Sequence, residues 1–135
     1  MSSGTVFTYP ENRLDFRSVK LLVTAKLSGK ELKTEHVSFG GGGGVGVLPH
    51  KEFVQKFAFG KIPSLETDSG LCLGESNSAA YHLASEALKG GNDPDLRSSV
   101  LQWMNLAEAQ VLPPARNLTF KRIGLIQVCP PHLAT

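Results

Sequence analysis

Apolar and polar positions follow a strand pattern at the start of the chain and a helical pattern directly after it. Residues 5–9 alternate β-branched and aromatic side chains, which is typical of a strand. From residue 13 to about residue 28 the apolar side chains recur mostly at helical spacing, and Asn12 suits the N-cap of that helix. Residues 31–37 predict a second strand. The order strand, helix, strand favours a parallel pair joined by a crossover helix.

The next segment, residues 38–48, contains five consecutive glycines at positions 40–44. Such a run has too much conformational entropy to hold a fixed shape by itself, so the sequence predicts a flexible loop. Glycine-rich loops also bind phosphates, but no Lys-Ser or Lys-Thr follows this one, and we do not favour a phosphate site. Residues 50–57 then predict a short helix.

Residues 59–77 predict a strand, a tight turn, a second strand and the start of a helix. Pro63 has no amide proton and suits a strand start, which leaves the backbone of Ile62 beside it to pair with an extended ligand. Residues 68–70, Asp-Ser-Gly, supply the hairpin turn. A helix over residues 75–89 begins with Glu-Ser, where amides and the Ser76 hydroxyl could hold a carboxylate. The alternative is an ordinary hairpin followed by a capped helix.

The last third of the chain predicts one long helix after a linker at residues 90–93. Pro94 suits the first helical position, and Pro113 with Pro114 must kink or end the helix because each removes a hydrogen-bond donor. We expect residues 121–135 to form a loosely ordered tail. The helix carries one apolar stripe, made of Leu96, Val100, Trp103, Met104, Ala107 and Val111.

Composition and charge exclude several classes of function. The 135 residues are 41% hydrophobic and 19% charged, which suits a globular domain with a buried core. The net charge of +2 comes from interspersed basic and acidic residues, so we expect neither a nucleic-acid face nor a membrane face. Cys72 and Cys129 form no metal-spaced pair or disulfide framework, and the four histidines are scattered, so no metal site is predicted. We expect a cytoplasmic protein without a leader or a membrane span.

Several motifs give the chain a family resemblance. The corner at residues 59–77 resembles the glutathione site of thioredoxin-like glutathione transferases. More of the chain is similar to the gamma-subunit family of eukaryotic translation elongation factor 1. The pieces that carry this second resemblance are Phe7 to Asn12, Gly60 to Pro63, Glu75 to Tyr81, Gln102 with Trp103, and Val111 to Ala115.

The resemblance implies a fold and a division of the chain. The implied fold is α/β, a thioredoxin-like βαβαββα glutathione-transferase N-terminal domain followed by the first helix of a truncated all-α C-terminal domain. The first domain would occupy residues 1–89. Residues 90–135 would hold the linker, the start of the helical domain and the tail.

The resemblance also implies site residues. The carboxylate of the γ-glutamyl end of glutathione would meet Ser76 and the helix amides, and its amino group would meet Glu75. Lys61 and the Ile62 backbone would flank the rest of the peptide, with Pro63 in the cis form. The family's thiol-activating hydroxyl has Asn12 in its place, and Tyr9 carries a hydroxyl three residues earlier.

Two functions follow as expectations. In the first, the chain is a non-catalytic scaffold that anchors the guanine-nucleotide-exchange (beta) subunit of the elongation factor, with glutathione as an optional ligand and no required cofactor. An uncovered apolar stripe on the last helix would also allow a homodimer. In the second, the chain is a cytosolic transferase that joins glutathione to small electrophiles, with Tyr9 or Asn12 at the thiol. A hydroxyl in place of Asn12 and a complete helical half would favour the enzyme. Because the sequence offers neither, we favour the scaffold.

Overall fold

The computed structural model describes residues 2–9, 15–37 and 51–122. Two compact units divide the chain, Met1–Asp93 and Pro94–Thr135. The glycine-rich segment and most of the predicted tail lie outside the described residues. The strands are β1 (Ser2–Thr8), β2 (Glu31–His36), β3 (Ser64–Thr67) and β4 (Cys72–Leu73). The helices are α1 (Phe16–Leu27), α2 (Lys51–Lys56), α3 (Ser76–Leu83), α4 (Pro94–Leu106) and α5 (Leu112–Arg122), with a π-helical segment, Ala107–Val111, between the last two.

The described strands form one mixed sheet in the order β2-β1-β3-β4. β1 and β2 run parallel, as the strand, helix, strand order predicts. β3 is antiparallel to β1, with Val6 opposite Leu65, and β4 returns antiparallel to β3. The turn between β3 and β4 contains Gly70 at φ 84°, and the Gly70 amide donates to Thr67 O at 2.9 Å. The predicted thioredoxin-like arrangement is confirmed.

Both faces of the sheet are covered. Successive side chains of a strand point to opposite faces, yet Val6 and Phe7 are both buried. Phe7 packs edge-on against the rings of Phe53 and Phe57. Phe53 lies in α2, and Phe57 is the residue directly after α2. Thr8 points to the same face as Val6, and its hydroxyl forms a hydrogen bond with the Ser18 hydroxyl of α1. α1 in turn packs against α3. The core of the first unit therefore has two parts, one on each side of the sheet. Its buried apolar residues are Val6, Phe7, Leu21, Ala25, Val37, Phe53, Phe57, Leu65, Ala79, Ala80, Leu83 and Ala84.

The first helix begins later than the sequence predicts. Asp15 is its N-cap, with extended backbone and a carboxylate that accepts from the amides of Arg17 and Ser18, both at 3.2 Å. The predicted capping role of Asn12 is therefore wrong. Asp and Asn cap about equally well, so cap preference alone does not separate the two positions. The Asp15 carboxylate also accepts from the buried Ser18 hydroxyl at 2.6 Å.

The helix after the hairpin is shorter than residues 75–89. It ends at Leu83, because Ala84 adopts an extended conformation and residues 86–92 form turns. The Ser85 amide donates to Ser28 Oγ at 2.8 Å, which ties the end of α3 to the end of α1. Apolar spacing alone could not reveal this end, because the bond joins residues that are distant in the sequence.

The helical run of the second unit begins at Pro94, as predicted, but it continues past Pro113 and Pro114 to Arg122. A π-helical turn immediately precedes the two prolines, and the Leu112 amide donates to Ala107 O, five residues back. The wider turn relieves the clash between a proline ring and the carbonyl four residues earlier. Lys121 and Arg122 are helical, which corrects the start of the predicted tail.

Candidate functional site

The predicted carboxylate corner lies at the start of α3. Glu75 occupies the N-cap position with extended backbone, and its exposed carboxylate makes no capping hydrogen bond. Ser76, the first helical residue, is 6% exposed. The first intrahelical bond runs from Ala79 N to Glu75 O at 2.9 Å, so the amides of residues 76–78 precede the helical ladder. Amides in this position form the positive end of the helix dipole and favour an anion.

A lysine that sequence reasoning missed completes this corner. Lys20, in the middle of α1, donates from Nζ to Ser76 Oγ at 2.9 Å and to Asn77 Oδ1 at 2.5 Å. Neighbouring Leu21 is fully buried, which sets the face that α1 turns inward. Because α1 packs against α3, the Lys20 side chain reaches the first turn of α3. In the sequence, Lys20 lies between two apolar residues, which sets it apart, but this position does not indicate which residue it contacts.

The chemistry of this corner suits a carboxylate. It combines helix-start amides, one hydroxyl and one ammonium group, all of which are hydrogen-bond donors. A carboxylate only accepts hydrogen bonds, and charge-assisted bonds to an ammonium are stronger than neutral ones. The exposed Glu75 carboxylate next to them suits an amino group. The corner can therefore bind both the carboxylate and the amino group of an amino acid.

The predicted peptide-binding residues lie directly before β3. The Ile62–Pro63 bond is cis and Pro63 is buried, while Lys61 is exposed. The Ser64 hydroxyl donates to Lys61 O at 2.7 Å, which holds the chain as it enters the strand. Ile62 packs against the aromatic cluster under α2, so its side chain has a structural role in addition to any ligand contact.

The candidates for thiol activation follow β1. Tyr9 comes directly after the strand and is half-buried, and its carbonyl accepts a bond from His36 Nδ1–H at 2.9 Å. Asn12 lies outside the described residues. At the end of β1, the Thr8 and Ser18 hydroxyls bond to each other at 2.5 Å, and Ser18 Oγ also donates to the Asp15 carboxylate. This buried chain of hydroxyls ties β1 to the start of α1.

A groove of about 410 Å³ lies between α2 and the end of β2. None of the predicted site residues lines it. Its lining includes Lys56, whose Nζ donates to the Glu66 carboxylate at 2.8 Å, and this bond raises the pKa of the Lys56 ammonium above its ordinary value. The lining residues are Phe7, Glu35, His36, Val37, Glu52, Phe53 and Lys56.

Within residues 2–9, 15–37 and 51–122, no three His, Cys, Asp or Glu side chains are placed to hold a metal ion. No helix in the same part of the chain combines the length and apolar character needed to cross a membrane.

Comparison with known proteins agrees with the fold. The model of the family "Glutathione S-transferase, N-terminal domain" matches residues 2–85. Elongation factor 1-gamma of Rattus norvegicus is 35% identical over 130 residues, and that of Drosophila melanogaster is 38% identical over 127 residues. Both alignments cover 93% of this chain and 28% of the relative. The crystal structure of glutathione S-transferase from Pseudomonas fluorescens superposes with a TM-score of 0.66 at 27% identity, over 93% of this chain and 60% of that one.

The match to the family model covers β1 to α3, including the cis Pro63 and the Ser76 corner. This chain spans little more than a quarter of the length of the elongation factor relatives that it matches. The chain belongs to the glutathione S-transferase N-terminal domain family.

Proposed function

We propose that this chain is a non-catalytic scaffold in the elongation factor 1 complex and anchors the guanine-nucleotide-exchange (beta) subunit. The single observation that carries the proposal is the identity of 35–38% with elongation factor 1-gamma over 93% of the chain. The proposal places the chain in the cytoplasm, where aminoacyl-tRNA is delivered to ribosomes. Because the relatives are much longer, it concerns the part of the subunit to which this chain corresponds.

Exposed apolar side chains support an assembly role. None of the residues of α4, of the π-helical segment or of α5 is buried. Trp103 is 62% exposed, and Leu96 and Val111 are each 56% exposed. A large apolar surface of this kind marks a protein interaction site or a liability for aggregation. We assign it to the exchange subunit, and a homodimer is the competing outcome.

The test of this proposal measures association with the purified exchange subunit. Light scattering after size exclusion should give a mixed complex, and titration calorimetry should give its Kd. Trp103→Gln should weaken binding about tenfold or more, as expected for an interface tryptophan. Leu71→Gln is the matched control, because Leu71 is also exposed but lies in the β3–β4 hairpin. A chain that self-associates and ignores the exchange subunit would contradict the proposal.

The geometry favours a second candidate function, which is glutathione binding by the same domain. In this proposal the Ser76 hydroxyl and the α3 amides hold the γ-glutamyl carboxylate, and Glu75 holds the amino group. Lys61 and the Ile62 backbone, beside cis Pro63, flank the cysteinyl and glycyl parts. The observation that supports it is the cluster of donors formed by Ser76 and Lys20 beside the uncapped helix start.

Binding and catalysis need separate measurements. Titration calorimetry with reduced glutathione tests the ligand, and a conjugation assay with an aryl halide tests the transferase. Ser76→Ala should weaken glutathione binding, while Ser98→Ala serves as the matched control, because the Ser98 hydroxyl donates to Pro94 O of its own helix. Turnover that falls on replacement of Tyr9 or Asn12 would favour the enzyme over the scaffold. Binding without turnover would leave glutathione as a ligand of a scaffold.

A further inference from the structure

The groove between α2 and the end of β2 has an apolar floor and a rim that carries two carboxylates. Phe7, Val37 and Phe53 line the floor, and each is at most 8% exposed. Glu35 of β2 and Glu52 of α2 also line the groove, and both residues are exposed. A complementary ligand offers apolar atoms to the floor and positive charge to the rim. The side chains of arginine and lysine do both, because a charged head follows an apolar stem.

The lysine of the groove does not cancel the charge of these carboxylates. Lys56 Nζ donates to both carboxylate oxygens of Glu66, at 3.0 and 2.8 Å, so the charges of this pair sum to zero. With His36 counted as neutral, the two negative charges of Glu35 and Glu52 remain. The pKa of the Lys56 ammonium is raised, mainly by its hydrogen bond to Glu66 and with a smaller contribution from the charge of Glu35. The groove therefore favours a positive charge, although the whole chain has a net charge of +2.

The place of β2 in the sheet indicates how a peptide can present such a charge. β2 is at one edge of the order β2-β1-β3-β4 and, in the part of the chain that the structure describes, pairs only with β1. An extended peptide can add to an edge strand through the backbone groups that face outward. Glu35 pairs with Phe7, so both side chains lie on the face of the sheet that α2 covers. A peptide side chain opposite Glu35 would lie on this same face, beside the groove.

We propose that the edge of β2 and this groove form a docking site for an extended segment of a partner protein, with an arginine side chain of that segment between Glu35 and Glu52. The arginine stem packs on the apolar floor, and the guanidinium donates hydrogen bonds to the two carboxylates. Arginine suits this place better than lysine, because its planar head carries five donors and can reach acceptors on both walls. The docking site shares no residue with the proposed glutathione site or with the apolar stripe of α4, so it is independent of both proposals.

The experiment titrates the full chain, labelled with nitrogen-15, with the peptide acetyl-Thr-Val-Arg-Val-Thr-amide and follows the amide signals by NMR. The control peptide has citrulline in place of arginine, which keeps the shape of the side chain and removes its charge. The arginine peptide should shift the amide signals of residues 33–37 and 51–56. It should also bind about tenfold or more tightly than the citrulline peptide, because the citrulline peptide lacks the charge-assisted hydrogen bonds.

Removal of charge from the protein tests the same contact. Glu35→Gln combined with Glu52→Gln should weaken binding of the arginine peptide about tenfold or more, and should change binding of the citrulline peptide less than about twofold. Glu31→Gln is the matched control, because Glu31 is an exposed glutamate at the start of the same strand and does not line the groove. Circular dichroism checks that the variants fold. The comparison of the two peptides on the unaltered chain does not depend on any variant.

Five results would overturn the proposal. The first two are no binding of the arginine peptide and equal affinity for the two peptides. The third is a double variant that binds the arginine peptide as the unaltered chain does, since Glu35 and Glu52 would then play no part. The fourth is a set of shifts confined to other elements, such as α4. The fifth is movement of the β2 signals with protein concentration before any peptide is added, which would show that a second copy of the chain occupies the edge.

Discussion

At the scale of single residues, Asp15 joins the start of α1 to the end of β1. Its carboxylate accepts from two backbone amides and from Ser18 Oγ, and Ser18 in turn bonds to the Thr8 hydroxyl. Ser18 and Thr8 are both buried, so these hydroxyls need their partners. Without the Asp15 carboxylate, the helix would lose its cap and the buried hydroxyls would lose their acceptor.

We expect Asp15→Ala to lower the free energy of unfolding by about 1–3 kcal/mol, the range for a lost cap together with a buried hydroxyl left without its acceptor. Chemical denaturation followed by circular dichroism measures this change. Asp15→Asn is the matched control, because asparagine caps nearly as well and keeps a side-chain oxygen, and it should cost less than about 1 kcal/mol. Equal losses for the two variants would show that the carboxylate charge, and not the cap, stabilises the fold.

Gly4 illustrates a different constraint, which is the close approach of two strands. Gly4 has φ 148° and pairs with Thr67 of β3. A Cβ at this position would overlap Glu66 O and lie 3.0 Å from Thr67 Cα, and both of these are backbone atoms. The alternation of β-branched and aromatic side chains predicts a strand over residues 5–9. In the structure the strand begins at Ser2, since Gly4 is what lets β1 and β3 meet.

We expect Gly4→Ala to destabilise the protein by about 3 kcal/mol or more, because it adds a backbone clash to an unfavourable φ. Gly70→Ala is the control, since Gly70 also has positive φ but has open space around it. Gly70→Ala should lower the free energy of unfolding by about 1 kcal/mol, because only the unfavourable backbone conformation contributes. Thermal and urea unfolding measure both, and similar losses at the two positions would rule out the strand contact as the cause.

At the scale of elements, two consecutive prolines lie inside a helical run. Pro113 and Pro114 follow a π-helical turn, Ala107–Val111, in which the Leu112 amide bonds to the carbonyl five residues back. π-turns are rare and widen the helix locally. We attribute this one to the prolines, whose rings would otherwise clash with the preceding turn.

Replacing both, as Pro113→Ala with Pro114→Ala, should convert the π-turn into regular α-helix and stabilise the helical run by about 1–3 kcal/mol. Backbone chemical shifts of residues 105–118 and the ellipticity at 222 nm (a helix signal) measure the change. Pro94→Ala should have little effect, because proline is well tolerated at the first helical position. Unchanged shifts at residues 107–111 in the double variant would show that the π-turn has another cause.

At the scale of the whole molecule, the two compact units differ in how their residues are buried. In the first unit, helices cover both faces of the sheet, and Val6, Leu21 and Leu65 are fully buried. In the second unit, α4 and α5 bury none of their residues. A helix without tertiary burial depends on local hydrogen bonds and is only marginally stable in water.

Hydrogen exchange should therefore show slow amides in β1 and β3 and fast ones in α4, because local opening costs little where nothing is buried. Adding the exchange subunit should slow the α4 amides if the exposed stripe is its binding surface. The β3–β4 turn, residues 68–70, is the internal control and should not change. Slow exchange in α4 without any partner would contradict the picture of an uncovered helix.

The sequence by itself determined the types of the elements from β1 to α4, the parallel pairing of β1 with β2, the hairpin turn and the helix start at Pro94. These features depend on side-chain periodicity and on the backbone limits of glycine and proline, which act within a few residues. By resemblance, it also indicated the cis bond at Pro63 and the fold family.

Only the tertiary structure decided that Asp15 caps α1, that α3 ends at Leu83 and that Lys20 meets Ser76. The Ser18 hydroxyl that donates to Asp15 also bonds to Thr8 of β1, the end of α3 is tied to the Ser28 hydroxyl, and the carboxylate corner includes a lysine 56 positions away from its serine. Each of these depends on which faces of distant elements come into contact. Local sequence patterns carry no information about such contacts, because they arise only when α1 packs against α3 and the sheet.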